Sequence, residues 1–201
     1  MLGHLSSTAL QRSRAGVRHL LSVLSIADFA CDPRLFQIAQ GELGQDAVPF
    51  RATLFDKSAA ANWLVPWHQD TALPLRERLE APDWGPWSQK AGIAYAHAPA
   101  WALSRVVALR VHLDASTSEN GPLCVVPGSH LLGVLEDDAV PVVVRERGFT
   151  ECLVPRGGVL AMRPLLIHAS SKARTQAPRR VLHIEYADSL QLAPGIELVA
   201  A

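Results

Sequence analysis

The sequence predicts a mainly β domain with flanking α-helices, built as a sandwich or a barrel. From Val48 onward, short runs of β-branched and aliphatic residues alternate with turns that contain Gly, Pro and Asn. Many short strands separated in this way favour a sandwich or barrel over a parallel α/β sheet. The chain has 201 residues, 49% of them hydrophobic, which is enough for a sizeable core. No internal repeat or low-complexity linker divides it, so we expect a single domain over residues 1–201.

Residues 1–47 carry the helix signals and are predicted to form a helical N-terminal segment. Ser25 stands three residues before Asp28, as in a capping box. Asp32 precedes a proline, which suits the cap and first position of a helix, and we expect that helix over residues 33–40. The opening stretch contains Ser and Arg but no acids, as transit peptides do. We interpret it instead as an amphipathic first segment of the domain.

Residues 48–190 are predicted to form the β core, with a long insertion at about residues 71–100 that holds Trp84 and Trp87. The predicted strands lie within the ranges 49–55, 106–114, 121–130, 140–146, 159–170 and 179–187. Turn signals rich in Gly and Pro separate several of them, at residues 119–122, 127–129 and 156–158.

The composition excludes some classes of partner. Lys plus Arg and Asp plus Glu number 19 each, and no basic stripe is present, which argues against nucleic acid as a partner. No apolar run approaches the length of about 20 residues that spans a bilayer, so we expect no membrane association. Three widely separated cysteines form neither a disulfide framework nor a metal clip. We therefore expect reduced, buried thiols in a cytoplasmic protein.

The stretch Trp67-His68-Gln69-Asp70 is the first candidate for chemistry. In a strand, residues i and i+2 point to the same face, so His68 and Asp70 would project together while Gln69 turns away. One imidazole and one carboxylate suit a first-row divalent metal. Such a pair also occurs by chance in many proteins, so it needs a third ligand to be informative.

A second histidine on a late strand supplies the candidate third ligand. Among the later histidines His168 is the best candidate, because it ends the apolar run Val159–Ile167, where an uncompensated ring would be costly to bury. Two histidines and one carboxylate, with open positions left on the metal, form the facial triad of non-haem Fe(II) oxygenases. Arg179 follows eleven residues after His168 and can grip a carboxylate with two parallel hydrogen bonds.

Taken together, these features resemble the phytanoyl-CoA dioxygenase family of Fe(II)/2-oxoglutarate-dependent oxygenases, particularly its compact bacterial members. The matching stretches are RATLFDKSAAANWLVPWHQD, LRVHLDASTSENGPLCVVPGSH and LAMRPLLIHASSKARTQAPRRVLHIEYA, which occur in the family's order between residues 51 and 187. The resemblance implies a double-stranded β-helix, that is, a cupin-like jelly roll. It also implies a dioxygenase that uses Fe(II), 2-oxoglutarate and O₂, hydroxylates a small-molecule substrate and releases succinate and CO₂.

The same resemblance assigns roles residue by residue. His68, Asp70 and His168 would be the iron ligands, and Arg179 would hold the distal carboxylate of 2-oxoglutarate. Ser170, on the same strand face as His168, would donate its hydroxyl to that carboxylate.

Other roles stay open at this point. Lys57 and Asn62 lie in matching sequence and are predicted to surround the cosubstrate or substrate, although a solvated lysine and a turn asparagine are equally good interpretations. Arg110 would meet an anionic substrate if its strand face lines the barrel interior, and a surface strand face is an equally good interpretation. His183 would either contact 2-oxoglutarate or stack in the core. Arg180 is interpreted as structural, because it faces away from Arg179.

Two alternatives to the oxygenase remain. One is a redox-neutral cupin-like isomerase or hydrolase with the same triad, and the other is a non-catalytic small-molecule-binding jelly roll. The presence of Asp70 separates this chain from related halogenases, in which a small residue replaces the carboxylate. The residues do not identify the substrate, nor do they decide between hydroxylation, desaturation and epimerisation, and the oligomeric state is equally open.

Overall fold

A computed structural model describes residues 12–13, 16–58 and 61–200 of the chain. The strands are, in chain order, β1 (Arg12–Ser13), β2 (Gly16–Val17), β3 (Val48–Lys57), β4 (Val65–His68), β5 (Ala72–Leu75), β6 (Trp87–Lys90), β7 (Ile93–His97), β8 (Val106–His112), β9 (Leu123–Val125), β10 (Thr150–Cys152), β11 (Val159–Met162), β12 (His168–Ser170), β13 (Arg179–Ala187), β14 (Gln191–Ala193) and β15 (Ile196–Glu197). The helices are α1 (Leu24–Ala30), α2 (Pro33–Leu43), α3 (Ala100–Leu103) and α4 (Ala139–Arg147), with 3₁₀ turns at Leu20–Ser22 and Ser129–Leu132.

Two antiparallel sheets form the frame of the domain. The larger has the strand order β1-β2-β3-β13-β8-β11, and the smaller has the order β10-β9-β12-β4. Neighbours within each sheet come from distant parts of the chain, as in β13 between β3 and β8. The predicted class, mainly β with flanking helices and of the jelly-roll type, is confirmed.

The two faces of the large sheet differ in chemistry. One face packs against the N-terminal helices through a cluster that includes Leu54, Leu109, Leu182 and Tyr186, all buried. The alternate residues of β3, β8 and β13 point the other way, toward the four-stranded sheet, and many of them are polar. Because side chains alternate along a strand, this arrangement gives the interior between the sheets a polar floor.

The N-terminal helices agree with the sequence only in part. Asp32 caps α2 by accepting a hydrogen bond from the Arg34 backbone amide at 2.9 Å, as its position before a proline predicts. The helix runs to Leu43, three residues beyond its predicted end. The capping-box prediction at Ser25 is wrong, because α1 begins at Leu24 and has no side-chain cap. The described residues here also include the short strands β1 and β2, and most of the transit-like opening stretch lies outside the described residues.

The strand predicted over residues 140–146 is wrong, since these residues belong to α4. Val140, Val143 and Val144 follow the spacing of one helix face and pack beside Ile167. Pro141 is tolerated because it lies in the first turn, where its missing amide has no partner to lose. The β-branched valines suggested a strand, but their burial on one helical face decides the structure.

The region predicted as an insertion forms a sheet of its own. Strand β7 lies between β5 and β6, with Ala72 opposite His97 and Trp87 opposite Ala96. Leu73, Leu75 and Trp84 bury its apolar side in a second core cluster. This small sheet starts two residues after Asp70 and is therefore anchored directly beside the candidate metal ligands.

Two further expectations concern the burial of the cysteines and the absence of a membrane-spanning segment. Cys124 is buried and Cys152 is half-buried, but Cys31 is exposed, so the prediction of three buried thiols is wrong at that position. Cys31 follows the last residue of α1, where the chain turns at the surface. None of the three forms a disulfide. None of the helices within the described ranges is long and apolar enough to cross a bilayer.

The turn at Gly121 generates the first prediction. Gly121 has φ of +66°, and a Cβ placed on it would lie 2.3 Å from the Ser171 carbonyl oxygen and 3.1 Å from Lys57 Nζ. We expect Gly121→Ala to lower the free energy of unfolding by about 2 kcal/mol more than Gly128→Ala does. Gly128 is the matched control, because it has φ of +75° and nothing within 4 Å of its added Cβ. Urea unfolding of both variants checks this, and equal losses would show that backbone strain alone acts at Gly121.

Candidate metal centre

His68 and His168 are direct neighbours across two antiparallel strands. Strand β12 pairs with β4 so that His168 lies opposite His68, and the centroids of the two rings are 4.2 Å apart. His168 is buried and His68 is half-buried, and both line the cavity between the sheets. The pairing brings together two histidines that are one hundred residues apart in sequence.

Both rings are oriented in the same way by backbone carbonyls. His68 Nδ1 lies 2.8 Å from the carbonyl oxygen of Pro66, and His168 Nδ1 lies 2.8 Å from that of Leu166. Each Nδ1 therefore carries the proton and donates it, which leaves Nε2 of each ring with a free lone pair. Such a partner fixes the tautomer and ring orientation of metal-binding histidines.

Asp70 completes a group that can hold a metal ion. Its carboxylate oxygens lie 3.7 Å from His68 Nε2 and 3.6 Å from His168 Nε2, and one donor atom from each residue falls within 4.8 Å of the others. Burial alone would raise the pKa of Asp70, but the neighbouring imidazoles of His168 and His68 outweigh burial and lower it. The carboxylate is thus ionised, as metal binding requires.

Gln69 fixes the backbone between His68, the last residue of β4, and Asp70, which lies just beyond that strand. Its side-chain amide donates to the carbonyl oxygens of Gly133 and Leu165 at 2.9 and 2.8 Å and accepts from the amide of Leu135 at 2.9 Å. The Asp70 amide in turn donates to the Pro164 carbonyl oxygen at 2.9 Å. Gln69 turns away from the ligands as predicted, but this anchoring role was missed by the sequence reasoning.

A second polar group lies around Arg179 at the start of β13. Arg179 donates from Nη2 to Ser170 Oγ at 3.2 Å and from Nε to the Asn120 carbonyl oxygen at 3.3 Å. Its Nη1 is buried and has no hydrogen-bond partner among the described residues. Burial, with the field of Arg110 added, lowers the pKa of Arg179 to about 10, so the guanidinium remains charged at neutral pH.

The Ser170 hydroxyl links the polar residues around Arg179, and it donates its proton within the protein rather than into the cavity. Its hydroxyl donates to the Gly121 carbonyl oxygen at 2.8 Å and accepts from Lys57 Nζ at 2.8 Å and from Arg179. Lys57, opposite Arg179 in the sheet register, is fully buried and also donates to the Ser171 carbonyl oxygen. The hydroxyl proton that was predicted for a cosubstrate carboxylate is thus already used within the protein.

Asn62 is not brought to the cavity. Its side-chain amide exchanges two hydrogen bonds with the backbone of Ala173, at 2.9 and 2.8 Å. Both polar ends are engaged there, so Asn62 anchors the loop before β13 and does not line the cavity. Arg180 pairs outward with Asp114, at 2.7 Å on each of two bonds, as a structural arginine would.

One cavity of about 370 Å³ joins these groups between the two sheets. Its lining includes the three candidate metal ligands together with Ser170 and Arg179. Arg110 and His183, whose positions the sequence left open, both face it, and Arg110 Nη1 lies 3.2 Å from His183 Nδ1. Burial and the charge of Arg110 lower the pKa of His183 well below its usual value, so this ring is neutral.

Sequence reasoning missed three charged residues at the far end of the cavity, Arg18, Arg51 and Glu185. Arg51 forms a two-bond ion pair with Glu185, and both line the cavity together with Arg18 and Lys90. A signal was present for two of them. Arg51 is an even number of residues from Lys57, and Glu185 from Arg179, so strand alternation places each pair on one face.

Comparison with known proteins supports a family assignment. The family model described as phytanoyl-CoA dioxygenase (PhyH) matches residues 10–181, most of the chain. The chain belongs to this family. The resemblance predicted from the three matching stretches is therefore confirmed.

Individual proteins and solved structures also show what the chain is similar to. It is 27% identical to L-proline trans-4-hydroxylase from Streptomyces griseoviridis over 180 residues, which cover 77% of this chain and 59% of that enzyme. AviO1 from Streptomyces viridochromogenes Tue57 superimposes with a TM-score of 0.62 and 27% identity, covering 86% of this chain and 66% of that one. EctD from S. alaskensis with 2-oxoglutarate and 5-hydroxyectoine has the same fold, with a TM-score of 0.64 and 19% identity, over 86% and 56% of the chains.

Lys57 generates a prediction about pH. Burial, with the field of Arg179 added, lowers the pKa of Lys57 from 10.5 to about 7. The unfolded chain therefore holds a proton on Lys57 between pH 7 and about 10 that the folded protein has released, so stability rises with pH in this window. We expect the free energy of unfolding of the metal-free wild type to rise relative to that of Lys57→Met by up to about 1 kcal/mol per pH unit from pH 7 upward. Urea unfolding of both proteins at several pH values measures this difference, and a constant difference would contradict the lowered pKa.

Proposed function

We propose that this chain is a non-haem Fe(II)- and 2-oxoglutarate-dependent dioxygenase that hydroxylates a small molecule. One observation carries the proposal. A facial set of two histidines and one carboxylate shares a cavity with a buried arginine whose Nη1 has no partner among the described residues. A buried unpaired guanidinium nitrogen is costly unless a ligand completes it. A redox-neutral metal enzyme would have no need of that second anion site.

The residues fit the two groups that the family uses. His68, Asp70 and His168 would hold Fe(II) through Nε2, a carboxylate oxygen and Nε2, a donor set that leaves coordination positions for other ligands. Arg179 would hold the distal carboxylate of 2-oxoglutarate, with Nη1 and Nη2 as the planar fork. Bound iron, 2-oxoglutarate and O₂ supply the oxidising power, with succinate and CO₂ as the products of the cosubstrate.

The protein's own contribution is orientation and exclusion of water. The carbonyls of Pro66 and Leu166 keep Nε2 of both rings aimed at one point. Lys57 and Ser170 support Arg179 from behind, and the small sheet of β5, β6 and β7 closes one side of the cavity. A dry cavity directs the oxidant to the substrate rather than to solvent.

Hydroxylation of a small molecule is the outcome that the available observations favour. The chain retains Asp70, so no ligand position is vacated for a halide. A relative named as a proline hydroxylase, and a structural neighbour determined with 2-oxoglutarate and 5-hydroxyectoine, support small substrates. The chain spans 59% of the length of that hydroxylase, and the cytoplasmic location, consistent with cysteines that form no disulfide, is part of the proposal.

The test is anaerobic addition of Fe(II) and 2-oxoglutarate to the metal-free protein, followed by visible spectroscopy of the weak charge-transfer band of the chelate. We expect a band in the wild type and none in His168→Ala. In Arg179→Ala the concentration of 2-oxoglutarate that gives half the band should rise at least about tenfold, because a charge-assisted fork is lost. Arg179→Lys keeps the charge without the fork and should fall between the two.

Arg180→Ala is the matched control, since its guanidinium faces outward to Asp114 and does not line the cavity. It should leave the titration with 2-oxoglutarate unchanged. Far-ultraviolet circular dichroism of each variant confirms that the chain is folded. Metal binding without any band in the wild type would overturn the oxygenase and leave the redox-neutral metal enzyme as the better proposal.

A further inference from the structure

Four residues form a cluster at the end of the cavity farthest from Arg179. We define the Tyr95 cluster as Arg18, Arg51, Lys90 and Tyr95. The Arg51 guanidinium lies 5.6 Å from the centre of the buried Tyr95 ring, and Lys90 Nζ lies 4.7 Å from it. Such contacts attract cations to an aromatic face and hold the lysine stem in place.

The chain before β3 is held at this cluster in a strained conformation. His19 has φ of +59°, unusual for a residue with a side chain, and its Nε2 lies 2.9 Å from the Tyr95 hydroxyl. This contact fixes the position of the neighbouring Arg18, which lines the cavity. Strain of this kind persists only where the surroundings impose it, and it is common at ligand sites.

The cluster lies beside the candidate metal centre. Arg51 Nη1 donates to the carbonyl oxygen of Ala72, two residues after Asp70, at 3.4 Å. Thr71, next to Asp70, is bonded through Oγ1 to Nδ1 of His97 at 3.0 Å, and both residues line the same cavity. A molecule bound at the cluster would therefore reach the metal from the side of Asp70, whereas Arg179 lies on the side of His168 and Ser170.

The cluster has more positive than negative charge. Arg51 is neutralised by its ion pair with Glu185. Neither Arg18 nor Lys90 has an ion-pair partner among the residues that the structure describes. Both are half-buried, and burial, then the fields of Arg18 and Arg51, lower the pKa of Lys90. Like charges placed together destabilise one another, so the cluster favours binding of an anion.

The size and charge of the surroundings limit that anion. The cavity of about 370 Å³ is near the lower end of the range for ligand sites and must also hold 2-oxoglutarate. Glu185 lies in the same wall and would repel a doubly charged phosphate more strongly than a singly charged carboxylate.

We propose that the substrate is a small organic carboxylate and that Lys90 and Arg18 bind its carboxylate group at the Tyr95 cluster. The role of the carboxylate as a substrate rests on the proposed function, whereas its binding at the cluster does not. The group bound here presents the rest of the substrate to the metal from the Asp70 side. Lys90, the last residue of β6, lies in the cavity wall away from Arg179 and thus serves substrate selection and not cosubstrate binding.

The test compares carboxylic acids with their primary amides, which have the same shape but no charge. The probes are acetate and acetamide, L-proline and L-prolinamide, and benzoate and benzamide, with inorganic phosphate alongside. Each is titrated anaerobically into protein loaded with Fe(II) and saturating 2-oxoglutarate, and into metal-free protein, by calorimetry. We expect at least one acid to bind about tenfold or more tightly than its amide. Lys90→Met should remove most of that difference while leaving the 2-oxoglutarate titration unchanged.

Lys172→Met is the matched control, because this lysine is exposed and does not line the cavity. It should keep the preference for the acid. Equal binding of every acid and amide, no binding of any acid, or an unchanged preference in Lys90→Met would each overturn the inference even if the chelate band forms. Tighter binding of phosphate than of all the carboxylates would overturn it as well. A preference that depends on Lys90 in protein without a chelate band would instead retain this site and reject the dioxygenase.

Discussion

The antiparallel register that sets His68 opposite His168 is the constraint on which the rest of the site depends. Side chains alternate between the faces of a strand, so a slip by one residue would turn one of the two rings out of the cavity. The structure prevents such a slip through contacts on both sides of the pair. Gln69 is bonded to three backbone groups, and the Asp70 amide is bonded to Pro164. Much of the polar structure around the candidate ligands therefore serves to maintain one register.

The large sheet is under a different constraint, because it holds charged side chains in the interior of the domain. Its cavity face carries Lys57, Arg110 and Arg179 on different strands, all buried. Each has some compensation: Lys57 and Arg179 share Ser170, and Arg110 lies 5.5 Å from the Phe55 ring and contacts His183. Compensation is incomplete, since Arg179 Nη1 and Arg110 Nε have no partner among the described residues. Incomplete compensation at a cavity wall is what distinguishes a binding site from a structural ion pair such as that of Arg180 with Asp114.

Sequence reasoning succeeded where a pattern depends on neighbours along the chain. The range predicted for β13, residues 179–187, agrees with the structure because its alternation is regular and its ends are marked by polar residues. The outward pairing of Arg180 with Asp114 likewise agrees with the structural position that strand alternation predicts, whereas the role of Arg179 stays a prediction. It failed for α4, where valines are shared by strands and buried helix faces, and only the position of Ile167 in space decides between them. The partner of Asn62 was not predictable for a similar reason, because the backbone of Ala173 is more than one hundred residues away in sequence.

Sequence reasoning did not bring the four members of the Tyr95 cluster together. Its members come from the chain before β3, from β3 itself and from the small sheet, and no short stretch contains two of its cations. A search for basic runs cannot detect such a site, because folding alone makes the charges neighbours.

The two ends of the cavity differ in how they can recognise an anion, and the proposed roles of cosubstrate and substrate site follow this difference. Arg179 is a rigid planar fork, 3% exposed, held from behind by Ser170 and the Asn120 carbonyl. It favours a planar carboxylate in a single orientation. Lys90 is a point charge on a flexible stem, half-buried on the small sheet, and it tolerates varied positions of its partner. A fixed cosubstrate suits the first end. A substrate that enters and leaves in each cycle suits the second, because a half-exposed ammonium is already hydrated and loses less when the anion departs.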